Sequence, residues 1–379
     1  MAFFKIKPDN NSVVQIYYDL NTLTDGSVAA TVNCISAFCT YEPPQEIHLY
    51  EIKEFVLPSK IPGVETDSIT LGDGVASLIG GNCSFNKFVI SNGITSISKA
   101  AFQMCNKIKT IVIPPSIKEI PERCFKGCRI ENVIFSGENN IETVGESAFE
   151  NSYIGGMFSW PSKCRIIPKS CFASSYLHKI DGLEHVEEVG ECAFVFTRAL
   201  ETIHWPLNCK VVPKSCFAYS MLKEVTGMEN VEEIQEDAFG GCPNLRSFAW
   251  PHKCKRIPDR CFCSSGLSEI SGISEVNFIG EAAFWCTEFK KFVWPSQCPV
   301  IPRRCFFNCP RVRVSICFDT DDCCINLSAF DSKNNIQGII DTSKCCDVQV
   351  VMNNDRAEMN EEMIKKIKVT FDTCFVFDT

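Results

Sequence analysis

The chain has 379 residues, 46 acidic against 37 basic side chains for a net charge of −9, and 45% hydrophobic residues. That apolar fraction excludes global disorder, and the acidic balance argues against nucleic acid as a partner, because phosphates demand a basic face. No apolar run reaches the ~18 residues of a membrane helix, so no integral membrane segment is expected, and the start Met1-Ala2-Phe3-Phe4-Lys5 lacks the basic and apolar regions of a secretory leader.

Residues 1–50 fit no repeat. Residues 13–18 and 27–35 read as strands, so this segment is expected to be a strand-rich N-terminal cap on an open repeat array, with a separate binding module as the alternative. A coil pattern starts at Ile52-Lys53-Glu54-Phe55-Val56-Leu57-Pro58. The expected solenoid spans 51–310 and is clearest over 85–309. Within it Trp-Pro recurs at Trp160, Trp205, Trp250 and Trp294, at spacings of 45, 45 and 44 residues. Each period splits in two. A phenylalanine series runs through Phe102, Phe125, Phe149, Phe172, Phe194, Phe217, Phe239, Phe262, Phe284 and Phe306, in steps of 22 to 24. The preceding residue alternates between Ala (Ala193, Ala238) and Cys (Cys216, Cys261). The coil is therefore about 22–23 residues, inside the leucine-rich-repeat range.

Each coil is predicted to open on a short strand, such as residues 200–206 or 222–227, because β-branched and aromatic residues alternate there. A second extended piece follows, as in 186–189 and 209–212, and ends in Pro or Gly. A short helical turn carrying Ala/Cys-Phe is expected next, since Pro suits a first helical position. The fold class is a mainly β repeat solenoid with short strands, short helical turns and non-repeat caps. At the strand ends Trp and Gly alternate: Trp160, Gly182, Trp205, Gly227, Trp250, Gly272, Trp294. Indole rings on every coil would crowd at a strand spacing of ~4.8 Å, so the glycines are read as making room for the rings.

Twenty-five cysteines are present, an odd number. Equivalent cysteines lie two coils, roughly 10 Å, apart, beyond the ~7 Å Cα separation a disulfide allows. Cys171, Cys216, Cys261 and Cys305 therefore cannot bridge along their own series and read as small buried side chains. A bridge between Cys164 and Cys171 stays open. Cys105, Cys128, Cys242 and Cys309, each three residues after a ladder Phe, also read as packing residues.

The pattern apolar-x-x-apolar-x-apolar-Pro followed by Val-x-x-Ile-Gly/Pro-x-x-Ala/Cys-Phe resembles the BspA-like leucine-rich-repeat family of bacterial and protist surface proteins. The Trp-Pro pairs and Ser170-Cys171-Phe172 and Ser215-Cys216-Phe217 are most similar to its protist branch. The resemblance covers about Phe85 to Cys309. It implies a surface protein that binds matrix components or other cells, and no catalytic residues.

Residues 311–379 are expected to form a C-terminal cap with strands at 348–352 and 368–377 and a helix at 355–366. The five histidines, His48, His178, His185, His204 and His252, form no His-Glu-x-x-His pair, and no phosphate loop or Gly-x-Ser-x-Gly elbow is present. Gly80-Gly81-Asn82 is a turn signal. Cys317, Cys323-Cys324 and Cys345-Cys346 allow a zinc site in principle, but paired Cys-x-x-Cys knuckles are missing; reduced structural thiols are the favoured reading, with disulfides also open. Glu187-Glu188 and Glu232-Glu233 recur in phase as a solvated face. Asn10, Asn82 and Asn326 head Asn-x-Ser sequons that do not decide location. No catalytic residue, cofactor or metal is expected.

Strand phase places Lys179, Thr202, Glu224, Ser247, Glu269 and Lys291 outward, with a second row of Asp181, His204, Thr226, Ala249, Ser271 and Val293. Such a surface is the expected binding face of a solenoid. Two readings follow: a non-enzymatic adhesion protein contacting a protein or cell-surface ligand, or an intracellular scaffold or inhibitor on the same frame. The first would be a surface or secreted protein by family resemblance, the second cytoplasmic by its missing leader.

Overall fold

A coil this short cannot enclose a core alone, so it must pair its backbone with neighbours and stack its large side chains on theirs. The computed structural model describes residues 2–10, 12–25, 27–39, 50–62, 68–72, 83–137, 139–309, 312–315, 322–330, 347–352 and 374–378. Two compact units divide the chain, Met1–Leu200 and Glu201–Thr379. Both are mainly β solenoid, and the only helix among the described residues is the 3-10 turn Leu327–Ala329.

The first unit opens on an antiparallel meander of Ala2–Asp9, Ser12–Thr22 and Val28–Cys39. Alternation along Ser12–Thr22 buries Val14, Ile16 and Tyr18, as a strand with one covered face requires. The third strand then pairs parallel with Ser68–Leu71, which pairs with Ser96–Ile97. Coil strands Tyr50–Val56, Cys83–Val89, Ile108–Ile113 and Asn132–Phe135 pair in parallel, in that order. Arg129–Ile130, Tyr153–Ser159 and Tyr176–Asp181 form the next parallel set, with a bulge between Ile154 and Met157. In the second unit Thr202–His204, Ser247–Ala249 and Lys291–Val293 pair with Glu224–Thr226, Glu269–Ser271 and Arg313–Ser315.

The expected helical turn is corrected. Between the second short strand and the next coil the backbone makes successive i→i+3 turns, interrupted by two residues with positive φ, such as Ser215 (51°) and Tyr219 (59°). Left-handed residues stop a helix after one turn. They also turn every other amide towards the next coil: Ser215, Phe217 and Tyr219 donate to the carbonyls of Glu236, Ala238 and Gly240 at 3.0, 2.9 and 2.7 Å. The amides between them, Cys216, Ala218 and Ser220, close the turns onto Pro213, Ser215 and Phe217. The same three-rung ladder repeats in both units, for example from Ser147, Phe149 and Asn151 to Lys169, Cys171 and Ala173.

Inside this turn ladder the phenylalanines stack. Ring centroids are 5.3 to 5.6 Å apart from Phe102 to Phe194 in the first unit, and 5.6 to 5.9 Å from Phe217 to Phe306 in the second. All are buried. Phe330 adds another ring 5.8 Å from Phe306 and bridges to it in parallel, so the coil pattern runs past residue 310. Val300–Ile301, Asp322–Asn326, Asp347–Met352 and Cys374–Asp378 pair in that order in a parallel sheet. The helix expected at 355–366 lies outside the described residues, as does most of the strand expected at 368–377.

The tryptophans pack edge-on against the phenylalanine of their own coil, Trp205 on Phe217 at 5.9 Å and Trp250 on Phe262 at 6.2 Å. Each indole Nε1 donates to the carbonyl four residues on, Trp205 to Cys209 at 3.0 Å and Trp250 to Cys254 at 2.8 Å. The glycines have a different cause from the one expected. Gly182, Gly227 and Gly272 have φ of 74°, 77° and 76°. A Cβ on any of them would lie 2.8 Å from the carbonyl oxygen of Trp160, Trp205 or Trp250. Backbone conformation and close approach, not ring volume, demand glycine there.

Candidate functional site

The cysteines come first, because they are the densest reactive groups. Cys164 and Cys171 are both free thiols, so that bridge is absent. The position three after each ladder Phe holds Cys105, Cys128, Ser152, Ser175, Thr197, Ser220, Cys242, Ser265, Thr287 or Cys309, all buried. Cys242 and Cys309 donate to Phe217 and Phe284 carbonyls, both at 3.1 Å, while Ser152 and Thr287 donate to the Phe of their own coil. In these coils a small buried donor satisfies a core carbonyl, whereas the buried Ser175 hydroxyl finds no partner. Burial pushes the thiols of Cys105 and Cys242 up to about 11 and those of Cys164 and Cys254 up to about 12. Protonated, enclosed thiols are poor nucleophiles, and their reduced state carries no signal about compartment.

Among the described residues no group of three His, Cys, Asp or Glu gathers for a metal. Cys317, Cys345 and Cys346 lie outside the described residues, as do His48, Gly80-Gly81 and Asn82. Asn326 caps the Leu327–Ala329 turn, its Oδ1 accepting from the Ser328 amide and hydroxyl. The paired carboxylates close ion pairs between coils, Glu187 with Arg165 at 3.1 Å and Glu232 with Lys210 at 2.9 Å. These pairs are exposed, and such contacts contribute at most about 1 kcal/mol each.

The outward strand positions remain. In the first unit Lys179 is exposed beside Met157; Asp181, opposite Ser159, is only half-buried and turns one carboxylate oxygen inward. In the second unit Thr202, His204, Glu224, Thr226, Ser247, Glu269, Ser271 and Lys291 are exposed, as are Ala249 and Val293. Thr202 stands opposite Glu224 and His204 opposite Thr226, with His204 Nδ1 and Thr226 Oγ1 3.0 Å apart. Ser247 faces Glu269, Ala249 faces Ser271, and Lys291 and Val293 face Arg313 and Ser315.

Strand pairing in the second unit follows the 45-residue period, which sequence reasoning missed. Each Trp coil pairs with the Gly coil after it, in both strand rows. The Gly coil does not pair with the next Trp coil: Glu224–Thr226 is not bonded to Ser247–Ala249, nor Glu269–Ser271 to Lys291–Val293. The turn ladder crosses these same boundaries unbroken, with Ala282, Phe284 and Cys286 donating to Arg303, Cys305 and Phe307 at 2.9 to 3.1 Å. Consecutive two-coil blocks are therefore joined along the turns, and at the second boundary also by the Glu288 amide donating to the Leu267 carbonyl at 2.9 Å, while the strands Glu269–Ser271 and Lys291–Val293 themselves do not pair.

At the second boundary the parting is a half-open groove of about 520 Å³. Residues 268–274 form one wall and 291–296 the other, with Phe289 beneath. Phe289, Phe292 and Trp294 are buried at its floor. In a parallel ladder the amides of one strand alternate between its two neighbours. The registers Phe248↔Ile270 and Phe292↔Val314 therefore leave the amides of Ile270, Lys291 and Val293 facing the groove.

A BspA type leucine rich repeat region matches residues 81–200 and 187–313 in six copies, more than half of the chain. The chain belongs to this family. Among solved structures it is similar to a leucine-rich repeat protein from Bacteroides ovatus, at 18% identity over 96% of this chain and 98% of that one, with a TM-score of 0.42. It is also similar to a leucine rich cell surface protein from Faecalibacterium prausnitzii, at 15% identity over 99% and 95%, with a TM-score of 0.48. A third similar structure is the pneumococcal vaccine antigen PcpA, at 14% identity over 99% of each chain, with a TM-score of 0.44. No curated protein matches the chain.

Proposed function

We propose that the chain is a non-enzymatic binding protein that contacts a protein or cell-surface ligand through the outward strand residues of its solenoid, and that it is displayed at a cell surface or secreted. One observation carries the reading. At packing positions such as the ladder Phe the residue type recurs coil after coil, whereas the exposed strand row Thr202, Glu224, Ser247, Glu269 and Lys291 mixes neutral, acidic and basic side chains. Packing does not dictate those side chains, and a solenoid offers them as one extended surface.

A photocrosslinking side chain placed at Thr202 or Ser247 is expected to yield adducts on intact cells that bear the ligand. The same group at Lys210 or Lys255, which sit in the inter-coil ion pairs, is expected to yield none. Adducts only from Lys210 and Lys255 would overturn the strand-face assignment. Complete protection of the chain in intact source cells from added protease would remove surface display and leave the scaffold reading.

A further inference from the structure

The groove between Glu269–Ser271 and Lys291–Val293 differs from the rest of the strand face in three ways. It has depth, reaching the buried rings of Phe289, Phe292 and Trp294. Its two walls belong to different two-coil blocks and share no strand pairing. It also carries two unengaged opposite charges. Glu269 and Lys291 are exposed on facing walls, and neither enters an ion pair among the described residues. Between a paired Trp coil and Gly coil, charges one residue earlier in each coil do close, Lys223 reaching Glu201 at 2.8 Å. Across the groove the pair stays open, so an anion and a cation stand on either side of an apolar floor.

We infer that this groove is a docking site for an extended peptide segment of a partner protein, crossing it with a basic residue, an apolar residue and an acidic residue at alternate positions. Alternate side chains of an extended chain point the same way and lie about 6.6 Å apart. The central apolar side chain enters the groove towards Phe292 and Trp294. The flanking base and acid meet Glu269 and Lys291, the two charges the fold leaves unused. Apolar burial supplies the anchor, and charge order supplies selectivity. The inference rests on the strand-face reading above and names the place and chemistry within it.

The test uses the full chain and the capped peptide acetyl-Thr-Lys-Thr-Leu-Thr-Glu-Thr-amide, by isothermal titration calorimetry and by amide chemical shifts. Binding is expected, with shifts centred on Ile270, Lys291 and Val293. Replacing the central Leu of the peptide by Asp is expected to weaken binding at least tenfold. Val293→Trp, at a position 73% exposed and so free to change without touching the core, is expected to do the same. Lys291→Glu makes both walls acidic and is expected to transfer preference to the peptide with Lys at both flanks. No binding of the first peptide, or an unchanged preference in Lys291→Glu, would overturn the inference. If adducts at Thr202 and Ser247 persist while the peptide fails, only the groove assignment falls; loss of both removes the strand-face reading itself.

Discussion

In the first unit four coil strands, Tyr50–Val56, Cys83–Val89, Ile108–Ile113 and Asn132–Phe135, pair without a break. In the second unit strands of three residues pair only two by two. The unbroken set is longer and rich in β-branched and aromatic residues, which suit a continuous sheet. The interrupted set ends, on every second coil, in a glycine of positive φ such as Gly227 or Gly272. Such a residue turns the chain out of the ladder direction. The phenylalanine turn ladder is common to both regions. It is what allows the strands to part without the solenoid coming apart.

That comparison can be broken most forcefully at the shared element. Phe262→Ala should cost roughly 3–5 kcal/mol, because a buried ring stacked on both sides leaves a cavity; chemical denaturation measures it, and a near-neutral result would show that the turn ladder is not the joint. The glycines give the next largest effect. Gly227→Ala should cost about 1–3 kcal/mol, the usual range for a strained left-handed residue. Gly155, in the bulged strand Tyr153–Ser159, lacks a positive φ and would meet chiefly the Tyr153 ring. Its replacement by Ala should cost distinctly less, and equal losses would blunt the distinction between the two regions.

Trp250→Phe removes the indole donor from the Cys254 carbonyl while keeping an aromatic ring, and should cost about 1 kcal/mol. The smallest effect is a pH dependence at Asp237, on the turn ladder of the second unit. Burial raises its carboxyl above the ordinary value, opposed by a hydrogen bond from Ser215. A carboxyl raised in the folded state binds its proton more tightly there than in the unfolded chain. Its contribution to stability is therefore largest at low pH and falls as pH rises from the unfolded towards the folded value. Asp237→Asn should flatten that slope, and an unchanged slope would place its origin elsewhere.

Much of this frame was legible in the sequence, because packing repeats residue types. Phe217 and its equivalents mark each coil, and the cysteines three residues later, Cys105, Cys128, Cys242 and Cys309, mark a packing position, though not the hydrogen bonds formed there. The turn was misread as helical because Pro213-Lys214-Ser215-Cys216-Phe217 looks like a helix start. The left-handed residues Ser215 and Tyr219 are neither Gly nor Asn, so this coil does not announce them; the signal lies in the equivalents of Tyr219 in other coils, Gly127, Asn151, Gly241 and Asn308. The Trp–Gly alternation was visible, but its cause is a carbonyl contact that side-chain volumes do not encode. The outward residues could be placed by strand phase. The groove could not, since the residue pattern does not say which neighbouring strands bond, and Glu269 and Lys291 look like any surface charges.

The most direct measurement is residue-resolved amide hydrogen exchange in the native chain at the boundary that carries the groove. Ala282, Phe284 and Cys286, whose amides cross that boundary to Arg303, Cys305 and Phe307, should exchange slowly. Ile270, Lys291 and Val293, whose amides face the groove, should exchange faster by orders of magnitude. Equal protection on the two faces would mean that the strands are closed there, contradicting both the two-coil block and the groove built on it.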